Sequence, residues 1–499
     1  MFYASYPHMD FRSARRLFLI VWLCLPVLAV AKDYDIRKYG AVPDGVTLNS
    51  KAIQSAIDEA SEEGGGRVVI PPGKFLSGTI ILKSGVELHI QANATLLGST
   101  DVSHYQKLNR WKGLIMADGA EDIAITGKGV IDGQGADLAM HVDSLFYVGQ
   151  VDSAWYTFPE RRPKEPLRPQ IVELVRCKNV RVQGITLRNG ASWVQTYDLC
   201  ENVLINGIKV DSDCFWNNDG IDVTDCKRVW ITNCDINSSD DGICIKSYSV
   251  AGFLNDSIYI SNCRVRSSAS AVKFGSAGYG GFRNIVVRNI DVYNTFRSAI
   301  ALEQVDGGVL ENVLVENINA VNTGNAIFLR LGHKYRAVPP GTFRNVVIRN
   351  VRVTIPFERP DKGYAMRGPA LSFFHNIFPS AVAGIPGYYI ENVLFENIEI
   401  SHPGKGNPAY ARLPLWRLET IPEKPHNYPE FSMFGELPAW GFYVRHARGL
   451  VFKDIRVRIR EADYRPAFVF DDVNGLTLEG IEVKGDNKEE DMFFKDVAR

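Results

Sequence analysis

The sequence contains two similar phrases, Asn-Asn-Asp-Gly-Ile-Asp-Val at residues 217–223 and Ser-Asp-Asp-Gly-Ile-Cys-Ile-Lys-Ser at residues 239–247. Asp219 and Asp241 each precede Gly-Ile, and the two residues are 22 positions apart. If this interval is one turn of a repeating coil, the two phrases lie side by side and their carboxylates converge. The pair of phrases therefore predicts a coiled scaffold that presents a patch of acids.

An Asn-(Val/Ile) phrase repeats along much of the chain, with Arg, Ser or Gly replacing Asn in some copies. The copies start at Asn179, Asn202, Arg228, Ser257, Asn284, Asn312, Asn345, Asn392, Gly449 and Gly475. The shorter intervals are too brief for strand–helix–strand units, and the phrases are rich in Val, Ile, Thr and Asn. They suit coils of three short strands, which predicts an all-β fold, a right-handed parallel β-helix. We expect the repeated Asn residues to occupy turns, with their amides bonded from coil to coil.

One helical pattern precedes the repeat, from about Ser50 to Glu62, and it predicts a short N-terminal capping helix. Its apolar face consists of Ile53, Ala56, Ile57 and Ala60, and Asn49 is the predicted N-cap. Short strands are predicted to follow at Gly78–Leu82 and Val86–Ile90, with no further helix. Long intervals between later repeats indicate loop insertions near 355–390 and 403–445, which could shape a binding site.

Residues 1–31 have the pattern of a signal peptide. Arg12, Arg15 and Arg16 precede an apolar run that ends in Ala29-Val30-Ala31, small residues of the kind that a signal peptidase requires. The run is short for a membrane span, and a buried N-terminal helix is the alternative. We therefore expect a secreted or periplasmic protein in which residues 32–499 form a single β-helix domain.

The composition excludes several partners. The chain has 56 basic and 57 acidic residues, a balance that indicates neither nucleic-acid nor membrane binding. Cys177, Cys200 and Cys226 stand at similar positions in successive repeats, which predicts stacked, buried thiols. A disulfide is possible in an oxidising compartment, although the repeat explains the spacing without one. No spacing resembles a zinc site, and we expect a monomer with no cofactor and no metal.

Strand alternation identifies the side chains that leave the core. In residues 219–223, Ile221 and Val223 are expected to point inward and Asp222 outward. The same alternation in later coils predicts one outward column that consists of Asp222, Lys246, Lys273, Glu303 and Arg330. Asp219, Asp240 and Asp241 are expected at the head of this column, about 4.8 Å from their neighbours on adjacent strands.

Crowded carboxylates repel one another, so at least one of the three aspartates should hold its proton near neutral pH. A protonated acid beside ionised bases is what glycoside hydrolysis requires. Two alternatives remain at this point. Asp-Gly is a common turn, and clustered carboxylate oxygens also suit Ca²⁺.

The chain resembles glycoside hydrolase family 28, the polygalacturonase and pectin-hydrolase family. The resemblance rests on residues 122–135, on Cys-Glu-Asn-Val at 200–203, on Asn217-Asn218-Asp219 in place of the family's Asn-Thr-Asp, and on Asp240-Asp241. It implies the single-stranded, pectin-lyase-like β-helix. It also implies that Asp240 is the general acid and that Asp219 and Asp241 activate water.

Two family motifs are altered in this chain. Ala269-Ser270-Ala271 stands where the family has Gly-His-Gly, and residues 300–303 lack both cations of the Arg-Ile-Lys motif. Other charged groups could then bind and recognise the sugar. The residues predicted to bind substrate are Asn217, Asp222, Lys246, Lys273, Glu303, Arg330 and His333. Residues 427–431 are expected to wall the pocket.

The sequence therefore predicts an inverting glycoside hydrolase for a pectin-type, uronate-containing polysaccharide or oligosaccharide, with exo action suggested by the inserted loops. Two alternatives belong to other classes. A polysaccharide lyase on the same scaffold would use Lys or Arg as its base. A non-catalytic β-helix could bind carbohydrate without cleaving it.

Overall fold

The computed structural model describes residues 32–249, 252–365, 378–409, 412–485 and 490–498. The predicted signal peptide, residues 1–31, lies outside the described residues. The described chain forms a right-handed parallel β-helix, so the predicted fold class is confirmed.

The first coils consist of short strands that alternate between faces of the β-helix. They are β1 (Asp33–Asp35), β2 (Asp44–Leu48), β3 (Gly66–Ile70), β4 (Gly73–Ser77), β5 (Ile80–Ile81), β6 (Val86–Ile90), β7 (Ala94–Gly98), β8 (Gly113–Asp118), β9 (Ala124–Gly127) and β10 (Val130–Asp132). Of the two strands predicted here, the one at Val86–Ile90 has the predicted bounds, whereas the one at 78–82 is reduced to Ile80–Ile81.

The middle coils have three strands each. After the small hairpin of β11 (Tyr156–Thr157) and β12 (Arg162–Pro163) come β13 (Gln170–Val175), β14 (Lys178–Gln183), β15 (Thr186–Arg188), β16 (Gln195–Asp198), β17 (Glu201–Asn206), β18 (Lys209–Ser212), β19 (Ile221–Thr224), β20 (Lys227–Thr232), β21 (Asp235–Ser238) and β22 (Ile243–Ser247). Each strand from β13 to β20 pairs in parallel with the third strand after it, as β13 does with β16 and β14 with β17. Coils of three strands are what the repeat spacing predicted.

The last coils have longer strands that continue through the corners of the coil. They are β23 (Asn255–Ser267), β24 (Val272–Gly278), β25 (Gly281–Gln304), β26 (Val309–Leu331), β27 (Thr342–Thr354), β28 (Ser380–Ala383), β29 (Ile390–His402), β30 (Phe442–Ile459), β31 (Phe468–Lys484) and β32 (Met492–Ala498). Strand β28 pairs with β26 and β30, so the insertion predicted near 355–390 contains one strand of the scaffold. The residues between β29 and β30 include the short 3₁₀ helix Leu415–Thr420.

Within the described ranges, two α-helices accompany the strands. Helix α1 (Ser50–Glu62) is the predicted capping helix, and it buries Ile53, Ala56, Ile57 and Ala60. Asn49 stands at its N-cap, but the Asn49 amide bonds the preceding turn instead of the helix. Helix α2 (Gly135–Tyr147) contradicts the expectation of a single helix, because Leu138, Ala139 and Val142 give this insertion its own buried face. Neither helix is long and apolar enough to cross a membrane.

The interior is filled by residues that stack in register from coil to coil. Val180, Val203 and Val229 are paired along β14, β17 and β20, and all three are buried. Within the described residues the seven cysteines are free, so the possible disulfide is not formed among them. The Cys226 thiol instead accepts a hydrogen bond from the Cys200 backbone N–H at 3.2 Å. The cysteines act as small core residues in the stack.

The repeated asparagines form two ladders at the corners of the coil. In one, Asn202 donates to Asn179 at 2.9 Å, and in the other Asn317 donates to Asn289 at 2.9 Å. Asn317 has a φ of 58°, which is the left-handed conformation that Asn tolerates better than most side chains. Asn therefore both turns the chain and joins adjacent coils.

Asn317→Ala is expected to lower the free energy of unfolding by about 1–3 kcal/mol, because alanine is strained at positive φ and two ladder bonds are lost. Asn317→Gly is the matched control, since glycine keeps the conformation and loses only the bonds. Urea denaturation of both variants measures the two contributions. Equal stabilities of the two variants would show that the left-handed turn contributes nothing.

Candidate active site

The outward side chains near the aspartates form two adjacent columns, which corrects the prediction of a single column. The first column contains Asp222, Cys244, Lys273 and Ala301, paired across β19, β22, β24 and β25. The second lies two residues further along the strands, where Thr224 pairs with Lys246 and Glu303 pairs with Arg330. Alternation gives each strand several outward positions, and register alone decides which of them are neighbours.

The glycines of the two Asp-Gly-Ile phrases allow the coils to approach closely. A Cβ atom on Gly220 would lie 2.5 Å from the Gly242 carbonyl oxygen and 2.6 Å from Ile236. A Cβ atom on Gly242 would lie 2.4 Å from Val265. Only glycine therefore fits at these two positions. The close approach of the two coils that it allows places the aspartates before the glycines side by side.

Asp219, Asp240 and Asp241 come together at the start of β19 and β22. Each offers a carboxylate oxygen within 4.8 Å of an oxygen of the other two. Asp219 and Asp241 are buried, whereas Asp240 is half-buried and therefore reachable from solvent. A water molecule that donates to two oxygens at about 2.8 Å can bridge such a gap.

Lys246 binds two of the acids from one side. Its Nζ atom lies 2.7 Å from Asp219 Oδ2, also contacts Asp222 Oδ1, and stands 3.8 Å above the centre of the Trp193 ring. Asp219 Oδ1 and Asp222 Oδ2 are buried without a hydrogen-bond partner. Burial raises the pKa of Asp219 well above its usual range, although the charge of Lys246 opposes this shift. Burial likewise raises the pKa of Asp222, to about 6.

Asp240 is oriented by the backbone and by Asn217. The Asp241 N–H donates to Asp240 Oδ1 at 3.0 Å, and the Asn217 amide donates to Oδ2 at 3.4 Å. Asn217 Oδ1 in turn accepts from Arg162 and Arg168, each at 2.9 Å. Burial and the neighbouring charge of Asp241 raise the pKa of Asp240, against the influence of Arg297 and two lysines. These contacts favour a protonated Asp240.

Asp241 is the opposite case. Its Oδ1 atom accepts from the Ser270 N–H at 3.1 Å, and its Oδ2 atom lies 3.3 Å from Lys273 Nζ. Burial opposes its charge, but Lys273, Lys246 and Arg297 together outweigh burial and lower its pKa. Ser270 stands where the family has His, and here the Ser270 backbone makes the contact. Two adjacent carboxyl groups thus have pKa values shifted in opposite directions, which suits one acid and one base.

Lys273 and Glu303 form a second buried pair beside Asp241. Lys273 Nζ lies 3.8 Å from Glu303 Oε2, and it donates to the Tyr428 hydroxyl at 2.9 Å. Burial raises the pKa of Glu303 to about 8, against the opposing charge of Lys273. Tyr428 comes from the second predicted insertion, and its side chain remains 52% exposed. The expected wall at residues 427–431 therefore does contact this part of the site.

Sequence reasoning missed a third cation at this site. Arg297 Nη1 lies 2.7 Å from Glu430 Oε2, and the charge of Arg297 also acts on Asp240 and Asp241. Arg297 stands in a corner of β25, a few residues before the altered Arg-Ile-Lys register. Its position just before residues 300–303, where the two cations of the Arg-Ile-Lys motif are missing, was the only signal in the sequence. Arg162 and Arg168, which bond Asn217, gave no signal, because they lie in an insertion about fifty residues upstream.

Two of the predicted substrate-binding residues have other contacts. Arg330 donates to the backbone carbonyls of Ala383, Gly384, Glu423 and Lys424, at 2.8 to 3.3 Å. His333 Nε2 bonds the Val338 carbonyl at 2.7 Å, and the His333 N–H donates to the Pro425 carbonyl at 2.6 Å. These contacts favour a role in holding the inserted loops for Arg330 and His333.

Two groups of side chains have the composition of a cation site. One consists of Asp219, Asp222 and Cys244, and the other consists of Asp219, Asp240 and Asp241. The ammonium groups of Lys246 and Lys273 already lie 2.7 Å from Asp219 and 3.3 Å from Asp241. The two ammonium groups together supply the two positive charges that a calcium ion would bring, so the residues fit a lysine-neutralised acid cluster better than a calcium site.

Glu173 is a further buried acid on the same face, two coils before Asp222. Its Oε1 atom accepts from the Trp111 N–H at 3.0 Å, and its Oε2 atom is buried without a partner. Burial raises the pKa of Glu173 from 4.5 to about 7. An acid with a raised pKa stabilises the fold below its unfolded pKa, and that contribution is lost as pH rises through the folded value.

Glu173→Gln is therefore expected to match the wild type in stability at pH 4 and to exceed it at pH 8. The shift of the pKa to about 7 corresponds to a gain of about 3 kcal/mol at pH 8. Denaturation curves at both pH values measure the difference. A variant that is less stable than the wild type at pH 8 would contradict the buried, uncompensated carboxylate.

A parallel β-helix that presents an acid–base pair on one outer face has the groups that a glycoside hydrolase requires. The model of glycosyl hydrolases family 28 matches residues 61–355, and the chain belongs to this family. The predicted family, the enzyme class and the carbohydrate partner it implies are thereby confirmed.

Several known proteins are similar to this chain. A probable polygalacturonase from Vitis vinifera is 26% identical, over 76% of this chain and 72% of its own length. An exo-poly-alpha-D-galacturonosidase from Dickeya chrysanthemi is 30% identical, but over 43% of this chain and 42% of its own length. The crystal structure of a hyperthermoactive exopolygalacturonase from Thermotoga maritima superposes with a TM-score of 0.59 at 27% identity, over 74% of this chain and 87% of its own.

Proposed function

We propose that the protein is an inverting, exo-acting glycoside hydrolase that cleaves a pectin-type, uronate-containing polysaccharide or oligosaccharide. The observation that carries the mechanism is the pair Asp240 and Asp241, whose pKa values are raised and lowered respectively. Protonated Asp240 gives its proton to the glycosidic oxygen, and ionised Asp241 takes a proton from the water that Asp219 helps to hold. Attack by this water on the face of the sugar opposite the leaving group inverts the anomeric centre. An oxygen of each aspartate lies within 4.8 Å of the other two, closer than the roughly 6.5–9.5 Å between carboxyl groups that is usual for inverting enzymes, so the proposed inversion rests on the family resemblance and not on this separation.

The substrate and the exo mode are inferred from the relatives and from the second inserted loop. The relatives named above are polygalacturonases, and two are named as exo-acting. In this chain the insertion that follows β29 brings Tyr428 to Lys273 and Glu430 to Arg297, beside the acid cluster. We expect an insertion placed beside the acids to restrict the site to chain ends. Residues 1–31 remain a predicted signal peptide, which would make the enzyme secreted or periplasmic.

The charges at the site disfavour a lyase. A lyase of the predicted type requires a neutral Lys or Arg as its base. Burial opposes the charge of Lys246, but Asp219 and Asp222 outweigh it and raise its pKa well above the usual value. Lys273 behaves in the same way beside Asp241 and Glu303. Both lysines therefore stay protonated near neutral pH and cannot abstract a proton from the substrate.

The test is product analysis on homogalacturonan, its methyl ester, rhamnogalacturonan and the oligomers of each. We expect new reducing ends, monomers as the first products, and an inverted anomeric configuration in NMR spectra recorded within the first minutes. Products that absorb in the ultraviolet would instead identify a lyase. Binding without any release of product would identify a carbohydrate-binding protein.

A further inference from the structure

The cations of the site are already paired with acids. Lys246 contacts Asp219 and Asp222, and Lys273 lies within 4 Å of Asp241 and Glu303. Arg297 is held by Glu430 at 2.7 Å. The two arginines behind Asn217 also have acid partners, Glu160 for Arg162 and Glu165 for Arg168, each at 2.9 Å.

At the candidate active site, carboxyl groups outnumber these cations. Lys246, Lys273 and Arg297 face six carboxyl groups: Asp219, Asp222, Asp240, Asp241, Glu303 and Glu430. If Asp219, Asp240 and Glu303 hold protons, as the direction of their pKa shifts indicates, three carboxylates remain for three cations. The region therefore has no surplus positive charge to offer an anionic ligand.

Hydrogen-bonding capacity leads to the same conclusion. A carboxyl oxygen accepts hydrogen bonds whether or not the group carries a proton, and Asp219 Oδ1, Asp222 Oδ2 and Glu303 Oε2 are buried and without a hydrogen-bond partner. A uronate carboxylate brings two more acceptors and a negative charge, whereas a sugar hydroxyl brings a donor. Placing like charges opposite one another is a recognised means of rejecting a ligand.

We define the Lys273 subsite as the cluster of Lys273, Arg297, Glu303, Tyr428 and Glu430, of which Tyr428 is the exposed member. We propose that this subsite accepts a sugar ring without a free carboxylate, either a neutral sugar or a uronate whose carboxyl group is esterified. The proposal rests on the proposed function, because it names the substrate class of the same site. The chain differs here from what its polygalacturonase relatives suggest.

The exposed ring of Tyr428 provides a surface for such a sugar. Its hydroxyl is fixed by Lys273 at 2.9 Å, while half of the side chain faces solvent. Aromatic faces pack against the apolar faces of sugar rings without regard to charge. The subsite thus combines an aromatic platform with acceptors for hydroxyl groups.

The first test is a binding measurement that does not depend on turnover. Calorimetry with Asp240→Asn, in which oligomers should persist, compares trigalacturonate, its methyl ester and a rhamnogalacturonan oligomer of similar size. We expect the methyl ester, the rhamnogalacturonan oligomer, or both to bind at least about tenfold more tightly than the free acid at pH 7. The ligand of these two that binds more tightly shows whether the subsite takes an esterified uronate or a neutral sugar. Equal or tighter binding of the free acid, or no binding of any of the three, would overturn the proposal.

The second test changes the charge of the subsite. Glu430→Gln keeps the shape of the side chain and releases the guanidinium of Arg297. We expect the preference against the free acid to shrink by about tenfold, because an unneutralised cation then faces the ligand. Glu316→Gln is the matched control. Glu316 lies on β26, outside the Lys273 subsite, and binds Arg349 at 2.7 Å, and its side chain is about as exposed as that of Glu430. An unchanged preference in Glu430→Gln, or an equal change in the control, would count against the proposal.

The two proposals can fail separately. Binding in the expected order without hydrolysis would overturn the proposed function and leave the subsite standing. Hydrolysis of unesterified galacturonan at least as fast as its methyl ester and rhamnogalacturonan would support the function and overturn the subsite.

Discussion

Asp240→Asn is expected to lower kcat by about 100- to 10,000-fold, because the variant has no proton to give to the leaving oxygen. The change removes little else. Asparagine keeps a side-chain oxygen that can accept from the Asp241 N–H or the Asn217 amide, as Asp240 does now. Since burial and Asp241 raise the pKa of Asp240, a neutral side chain should leave the free energy of unfolding unchanged or slightly higher at pH 7.

The leaving group separates a general acid from a merely structural residue. An aryl glycoside with an acidic phenol needs little protonation, so Asp240→Asn should lose much less activity on it than on the natural linkage. Asp291→Asn, an exposed change on β25, is the control for the substitution itself. Equal losses on both substrates would remove Asp240 from the role of acid, and wild-type kcat on the natural linkage would exclude it altogether.

The scaffold and the acid cluster could be predicted because both follow from local repetition. Val, Ile and Asn at fixed positions determine which side chains stack and where the coil turns, and Asp219 and Asp241 share one position in successive coils. The single outward column was wrong for a related reason. Alternation tells which side chains leave the core, but the turns between coils decide whether Asp222 lies beside Cys244 or beside Lys246.

The partners of the acids could not be predicted because they come from outside the repeat. Glu430 and Tyr428 lie more than a hundred residues beyond Arg297 and Lys273, in an insertion whose path no periodicity describes. The second helix was missed for the same reason, since it occupies an insertion between β10 and β13. Residues in insertions are placed by tertiary contacts, and those contacts determine here which cations are neutralised.

Lys246→Met is expected to lower the free energy of unfolding by about 3–5 kcal/mol at pH 7, because it leaves buried carboxylates without their counter-charge. Lys246 is 6% exposed and contacts both Asp219 and Asp222. Methionine fills a similar volume, so packing against Trp193 is largely retained. The loss therefore measures the charge. Lys453→Met is the control, since the exposed pair of Lys453 and Glu396 should contribute little to the free energy of unfolding.

The loss in Lys246→Met must depend on pH if uncompensated charge is its cause. Below the unfolded pKa of about 3.9, Asp219 and Asp222 are protonated in both states, and the variant should be nearly as stable as the wild type. As pH rises, the unfolded chain releases these protons while the folded variant holds them, so the loss grows toward pH 7 and beyond. Adding Asp222→Asn to Lys246→Met removes one of the two buried charges and should recover part of the stability. A loss of the same size at pH 4 and pH 8 would instead indicate a packing defect and would contradict the electrostatic role of Lys246.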